Sequence, residues 1–435
     1  MVFRMGVRMD AIRLSVFLFL GFVALSCAQN KTAESVFSTQ SANVCGKQAS
    51  QSRFIVQWED GRFTVETESS AEKFRSGFVT KNLRGIKHVD YDYRVQLTPQ
   101  ENLAQSGEAS AQALDMNWGP TMIQADQLWA QNIKGDGVIV AVVDGMVDVN
   151  HRQLQGNIAI NNGEIASNGI DDDQNGFVDD YKGIKVNSEV NDPARNQHGT
   201  HVAGIIAADP AFGPVQGVAP RAKILPAQFI GNEPSNGQGA SGSIGDAIIA
   251  MNYAASRGAK IINMSWGVGP CVQLPTLQAA LQQLSNQGIL LVTAAGNGDS
   301  RSVGYNVDIY PTYPSAYNLL NQINVAASTI SDSMIGFSNY GAISVHIAAP
   351  GVNIYSTIPN NGVASLSGTS MASPMTAGAA ALLWGAIPNA SANQIKQAIL
   401  KSVDIPSAKP FDVLSRGRLN VNNALVELKK VMGSN

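Results

Sequence analysis

From about Trp118 onward the chain settles into a regular alternation of short, continuous apolar runs and segments whose apolar residues recur at helical spacing. VIVAVVD, AKILPAQFI, IINMSW, ILLVTAAGN and INVAAST read as strands, with SIGDAIIAMNYAASRGA and TLQAALQQLSNQG as helices among them. Strands that are apolar on both faces and separated by amphipathic helices predict an α/β fold, a mostly parallel sheet with helices on both faces. In such a fold the chemistry lies beyond the carboxyl ends of the strands. Three of these strands end there in polar residues, namely Asp144, Ser265 and Asn297.

Before this body the pattern changes three times. Residues 53–97 predict a small α+β domain, because RFIVQW alternates like a strand, AEKFRSGFV fits a short amphipathic helix and IKHVDYDYRVQL reads as a second strand. Residues 98–117 have linker composition, and residues 29–52 are polar, small and aperiodic, which predicts a disordered spacer. Residues 1–28 run from basic to apolar to small side chains, the order of an export signal. The apolar stretch Leu14–Ser26 falls short of the roughly 20 residues that a membrane-crossing helix needs, so removal is expected rather than anchoring. Two processing routes stay open: cleavage after Ala28, or lipid attachment at Cys27 behind Ala24-Leu25-Ser26, a stretch that resembles a bacterial lipoprotein box. Membrane contact is expected only in the second.

Composition sharpens this picture. Charged residues are 14% of the chain against roughly 25% in an average soluble protein, with 44% apolar. Such a balance suits a close-packed extracellular protein. The net charge is −3, and the signal region carries +2 through Arg4, Arg8 and Arg13 against Asp10, so the remainder carries −5. That sign argues against nucleic acid or an acidic lipid surface as partner. Once Cys27 is set aside, Cys45 and Cys271 are either a disulfide pair or two unrelated thiols.

The stretch LSGTSMASPMTAG, residues 366–378, offers three serines among small residues. A nucleophilic serine needs a base within hydrogen-bond reach and an acid to orient that base. QHGTHVAGIIAA sets His198 and His201 three apart at the start of a predicted helix. A zinc site at that spacing lacks the glutamate of HExxH and any cluster of further ligands. By themselves the two read as structural histidines. Their significance comes from company along the chain: VIVAVVDGMVDVNH ends a strand at Asp144, AAGN ends another at Asn297, and GTSMASP opens an apolar helix at Ser370.

This set resembles the subtilisin-like serine proteases, the subtilases. The resemblance spans nearly all of residues 118–404, since FSNYG at 337–341 and APGVNIYSTIP at 349–359 match as well. It implies a self-maturing, monomeric endopeptidase acting on proteins or peptides, with no cofactor for catalysis. Ser370 would be nucleophile, His198 general base and acid, and Asp144 the carboxylate that fixes the imidazole. Asn297 and the Ser370 N–H would serve as oxyanion donors, with Ser367 and Ser373 as bystanders and Pro374 in the first helical turn. Activity is then expected to fall in acid, as a protonated His198 cannot accept the serine proton. Two substrate-pairing strands are implied, Ser265-Trp266-Gly267 and Gly239-Ala240-Ser241. GQGASG at 237–242 also fits a dinucleotide fingerprint, but six residues separate it from the preceding strand and no acid follows at ribose distance. Residues 53–97 resemble the inhibitory prodomain of the family, to be cut off within 98–117; a permanent accessory domain is the plainer alternative.

Two features depart from or extend the resemblance. Asp144-Gly145-Met146 stands where the family has Asp, then Thr or Ser, then Gly, so the carboxylate is expected to lose local support; a catalytically weakened peptide-binding protein is the rival reading. Met375 and Thr376 alter helix packing only. NGIDDDQNGFVDDYKG looks like part of a calcium loop, with Asp171, Asp173, Asn175, the Phe177 carbonyl and Asp179 as ligands but Lys182 in place of the closing glutamate. The alternative is a solvated acidic turn.

Overall fold

The computed structural model describes residues 31–37, 43–44, 47–97, 116–186, 196–231, 241–269, 274–299 and 301–433. Its centre is a seven-stranded sheet of β5 (Ile139–Asp144), β6 (Ile184–Lys185), β7 (Lys223–Gln228), β9 (Ile261–Met264), β10 (Leu290–Ala294), β11 (Gln322–Ser328) and β12 (Ile347–Pro350). They lie in the order β12-β11-β10-β9-β5-β7-β6, and every pairing is parallel. The chain leaves β5 toward β7 on one side and returns to β9 on the other, so the order reverses beside β5. That reversal opens a crevice at the carboxyl end of β5, where Asp144 sits.

Period-two alternation sends opposite faces of β5 to opposite layers. Val140 and Val142 meet α6 (His198–Ala207) and α9 (Thr369–Ala386), with α10 (Ala392–Lys401) and α11 (Val421–Gly433) in the same apolar cluster. Ala141 and Val143 join Ile262, Met264 and Leu291 beneath α7 (Ile244–Ser256) and α8 (Pro275–Asn286). The α/β architecture with helices on both faces is therefore as the periodicity predicts. A hairpin of β13 (Ile354–Ile358) and β14 (Gly362–Leu366) covers the end of α6. Two short helices, α4 (Trp118–Met122) and α5 (Ala125–Trp129), open the body, and α5 packs on α11. No helix among the described residues is long and apolar enough to cross a membrane.

The N-terminal unit is built from β1 (Asn43–Val44), β2 (Lys47–Trp58), β3 (Phe63–Thr67) and β4 (Ile86–Gln96). Residues 71–82 are helical: α2 (Ala71–Lys73), a π-turn over Phe74–Val79, then α3 (Thr80–Asn82). The spacer expected over 29–52 is corrected in its described parts. Helix α1 (Ala33–Val36) packs Val36 and Phe37 against Phe54, Phe74 and Val89, and β2 begins at Lys47 with Ala49 opposite Tyr93. Composition missed this because two apolar residues after a capped turn suffice when an aromatic cluster receives them; Phe54 and Phe74 stack at 4.2 Å.

This unit is seated on the body through buried carboxylates. Thr276 at the start of α8 donates its N–H and hydroxyl to Asp90 (2.8 and 2.7 Å), and Gly245 at the start of α7 donates its N–H to Asp92 (2.9 Å). Helix N-termini favour such anions. Arg53 bridges Asp92 and Asp246 at 3.0 and 2.7 Å. Strand β4 also pairs antiparallel with β8 (Ser241–Ser243), Gln96 opposite Ser241.

Candidate active site

Asp144 ends β5 fully buried, and one of its oxygens lies 2.6 Å from His198 Nδ1. A carboxylate only accepts, so Nδ1 carries the proton and Nε2 keeps a lone pair. Close packing permits this contact: a Cβ on Gly199 would sit 2.4 Å from the Gly145 carbonyl, so only glycine lets α6 approach the Asp144 turn. The support expected to be missing after Asp144 is present on one carboxylate oxygen and absent on the other. Gly145 donates its N–H to the same carboxylate oxygen at 2.6 Å, and Met146 donates to Asn196 Oδ1 at 3.0 Å. The other carboxylate oxygen is buried without a partner. The second histidine goes another way, with His201 Nε2 3.1 Å from the Ala364 carbonyl and burial driving its pKa down to about 3.

Ser370 is the second residue of α9, where N–H groups lack intrahelical acceptors. Its hydroxyl donates to the Ser265 carbonyl at 3.1 Å. Pro374 does not lie in the first turn, as the sequence suggested, but sixth in the helix. Its missing N–H would have bonded the Ser370 carbonyl four residues earlier. Ser265 Oγ takes that carbonyl instead at 2.9 Å, and Asn263 ties the arrangement together, donating to Ser265 Oγ and accepting from Ser373 Oγ, both at 2.9 Å. Ser373 is thus a buried brace rather than a bystander, and Ser367 accepts the N–H of Asn353.

Asn297 stands at the end of β10 with its side-chain oxygen occupied by the N–H and hydroxyl of Thr369, both at 2.9 Å. That fixes the amide and leaves Nδ2 toward the cavity. A side chain at Gly368 would crowd it, its Cβ falling 3.2 Å from Nδ2. The cavity, of about 360 Å³, is walled by Ser265–Gly269, Ala294–Gly298, Tyr305 and Thr312, with Ser370 at its edge. Ser265, Trp266 and Gly267 thus line the cavity that Ser370 borders. Trp266 is anchored through Nε1 to the Val143 carbonyl at 2.8 Å. Of the opposing strand, Ser241 is described and pairs with Gln96; Gly239 and Ala240 lie outside the described residues, as do Cys27, Cys45 and Cys271. Leu97, at the end of the N-terminal unit, lines the same cavity.

The acidic loop arranges its carboxylates differently from the sequence reading. Asp171 caps its own turn, accepting from Asn175 N and Gly176 N, and Asp179 accepts from Asn168 N and Gly169 N. Phe177 packs its ring on Tyr253. The oxygens that converge, within 4.8 Å of one another, belong to Glu164, Asp173 and Asp180. Of the expected ligands only Asp173 is in that group, with Asn175 bridging it to Asp180. The sequence missed Glu164 because it stands outside the ligand spacing, and Asn196, Asn263 and Thr369 because each acts through another residue.

The sequence profile of the Subtilase family matches residues 135–425. Thermitase of Thermoactinomyces vulgaris is 36% identical over 315 residues, covering 71% of this chain and 95% of thermitase. The major intracellular serine protease of Bacillus subtilis is 36% identical over 280 residues, 62% of this chain and 77% of its own length. Subtilisin DY of Bacillus licheniformis is 33% identical over 279 residues, 64% and 88% respectively. A profile match across this much of the sheet, crevice and helices means that the chain belongs to the subtilase family, and it is a serine endopeptidase of the subtilisin type.

Proposed function

We propose that this is an exported endopeptidase that hydrolyses peptide bonds through an acyl-enzyme on Ser370 and matures by losing its N-terminal region. In this reading the Ser370 hydroxyl turns from the Ser265 carbonyl to His198 Nε2. It passes its proton there as Oγ attacks the scissile carbonyl, and Asp144 holds the resulting imidazolium. The oxyanion is met by the Ser370 N–H and Asn297 Nδ2, groups held before substrate arrives. His198 then protonates the leaving amine and next activates the water that frees the acyl group. The observation that carries this is the buried 2.6 Å contact of Asp144 with His198, at the one place where the strand order reverses. A serine-directed fluorophosphonate tests it: labelling should occur and vanish in Ser370→Ala, whereas an unlabelled mature protein would favour the peptide-binding rival.

Residues 53–97 act as the inhibitor of their own body in this proposal. Pairing of β4 with β8 and the position of Leu97 in the Ser370 cavity support it, since a strand added at that edge blocks substrate from doing the same. Residues 1–28 direct export, with Cys27 as the residue on which lipidation turns. Intact mass and N-terminal sequencing of the secreted protein, with and without Ser370→Ala, read the signal's fate and the maturation point together. Self-cleavage predicts that the variant retains residues 53–97; a variant trimmed like the parent would refute it. Catalysis itself needs no cofactor, and a structural calcium ion in the acidic loop completes the reading.

A further inference from the structure

We propose that Asn196 is a positioning residue for the Asp144–His198 contact: its amide takes the space of a side chain at position 145 and holds the turn after Asp144. The assignment rests on the catalytic reading above. Asn196 comes two residues before His198 and is only 2% exposed. It acts on the reaction only through the residues it holds.

That amide closes a ring of hydrogen bonds among three segments. Oδ1 accepts the N–H of Met146 at 3.0 Å, and Nδ2 donates to the Ile230 carbonyl at 3.2 Å. The N–H of Ile230 returns to the Asp144 carbonyl at 3.2 Å, beside that of Phe229 at 3.0 Å. One side chain thus links the exit of β5, the exit of β7 and the start of α6. The Ile230 carbonyl has a second donor, Gln228 Nε2 at 3.1 Å, so the bond that matters most is the one to Met146.

The turn in question carries the contact. Asp144 meets His198 Nδ1 and the Gly145 N–H with the same oxygen, each at 2.6 Å, while its other oxygen is buried without a partner. A carboxylate bonded through one oxygen can swing about its last torsion, which is soft, so its aim depends on where the Gly145 peptide points. The Met146 N–H on Asn196 fixes the peptide that follows. The same amide excludes a side chain at 145: a Cβ there would overlap Asn196 Oδ1, whereas the next neighbour outside Asn196, Gly199 N, lies at an ordinary 3.7 Å. Gly145 has no left-handed φ, so backbone strain is not what reserves the position for glycine. Residues 145 and 196 compete for one space.

The test is a double-variant cycle in the mature protein, read as kcat and KM on a chromogenic peptide and as Tm. A variant that does not mature is trimmed by a trace of parent, whose own rate is subtracted. Asn196→Ala should lower kcat roughly tenfold or more at little-changed KM, since a small misplacement of reacting groups costs up to about 10²-fold. Gly145→Ser should be as harmful in the parent, where it meets the amide. In Asn196→Ala it should be harmless or partly restorative, because the space is vacant and a hydroxyl is offered beside the unpartnered Asp144 oxygen. A merely structural role would lower Tm without that reversal of sign. Equal cost of Gly145→Ser in both backgrounds, or parental kcat in Asn196→Ala, would overturn the assignment. If Asn196→Ala does not fold, Asn196→Ser, which also withdraws the amide, takes its place in the cycle. Ser370→Ala separates the two readings: activity equal to the parent's would sink the catalytic reading, whereas an inactive Ser370→Ala beside a fully active Asn196→Ala would sink this inference alone.

Discussion

The catalytic crevice and the acidic loop are both dense in polar side chains, but they are held by opposite means. Around Ser370 the polar atoms are paired by neutral groups: Ser265, Asn263 and Ser373 bond one another and the Ser370 carbonyl, and Thr369 fixes Asn297. In the loop, carboxylates face carboxylates, with two asparagine amides between them. The neutral network is complete without a ligand, and this suits a site whose donors must be rigid when charge develops. In the anionic cluster one Glu164 oxygen stays buried without a partner. The two sets of contacts thus lie in separate parts of the chain.

The sharpest way to break that separation is to empty the crevice. Ser370→Ala should lower turnover roughly 10⁶-fold, a size known from subtilisin itself, while leaving Tm nearly unchanged; a large Tm loss would mean that the hydroxyl braces the fold. Asn297→Ala should cost about 10²–10³ in kcat, again subtilisin's figure, with KM little altered. An equal effect on KM would point to ground-state binding and against the oxyanion role.

Acid provides a third comparison, because three buried histidines outside the catalytic contact, His151, His201 and His346, are held below their ordinary pKa by burial. His201 and His346 have pKa values driven down to about 3, chiefly by burial, against about 6.5 in an unfolded chain. The unfolded state therefore takes up protons that the native state refuses. Their contribution to stability is full above about pH 6.5 and is lost progressively as pH falls toward about 3. Tm of the Ser370→Ala protein should decline over that window, and His346→Gln should flatten part of the decline. An unchanged slope would remove His346 from the account. Smallest should be Ser265→Ala, which leaves the Ser370 carbonyl and Asn263 short of a partner. A loss of about 1–3 kcal/mol is expected, read as a Tm fall of a few degrees with a modest drop in kcat. No change in either would mean that the brace is redundant.

Much of the crevice was legible because its chemistry travels in contiguous motifs at strand and helix ends. Asp144 and Asn297 sit where apolar strands stop, His198 and Ser370 where apolar helices start, and the parallel sheet brings such ends to one edge. The supporting residues were not legible. Asn196 accepts the Met146 N–H from 50 residues away, and Pro374 matters because of the carbonyl it leaves free. Neither effect has a local signature. The acidic loop differs: alternate spacing suggested Asp171 and Asp179, which accept turn N–H groups, whereas the oxygens that converge belong to Glu164, Asp173 and Asp180, and Glu164 lies outside the repeat. The N-terminal spacer misread has the same origin, since the aromatic cluster that receives Val36 and Phe37 comes from β2, β4 and the helical turn between them.

By itself the sequence determined the layered α/β body and the order of its elements, and it pointed to the reacting groups proposed here, because periodicity and short motifs encode what neighbours along the chain do. Only the tertiary structure decided which partners hold those groups, which carboxylate oxygens of the acidic loop converge and where the N-terminal unit seats. Those are contacts between residues tens to hundreds of positions apart, and their energies depend on burial and distance that no local pattern contains.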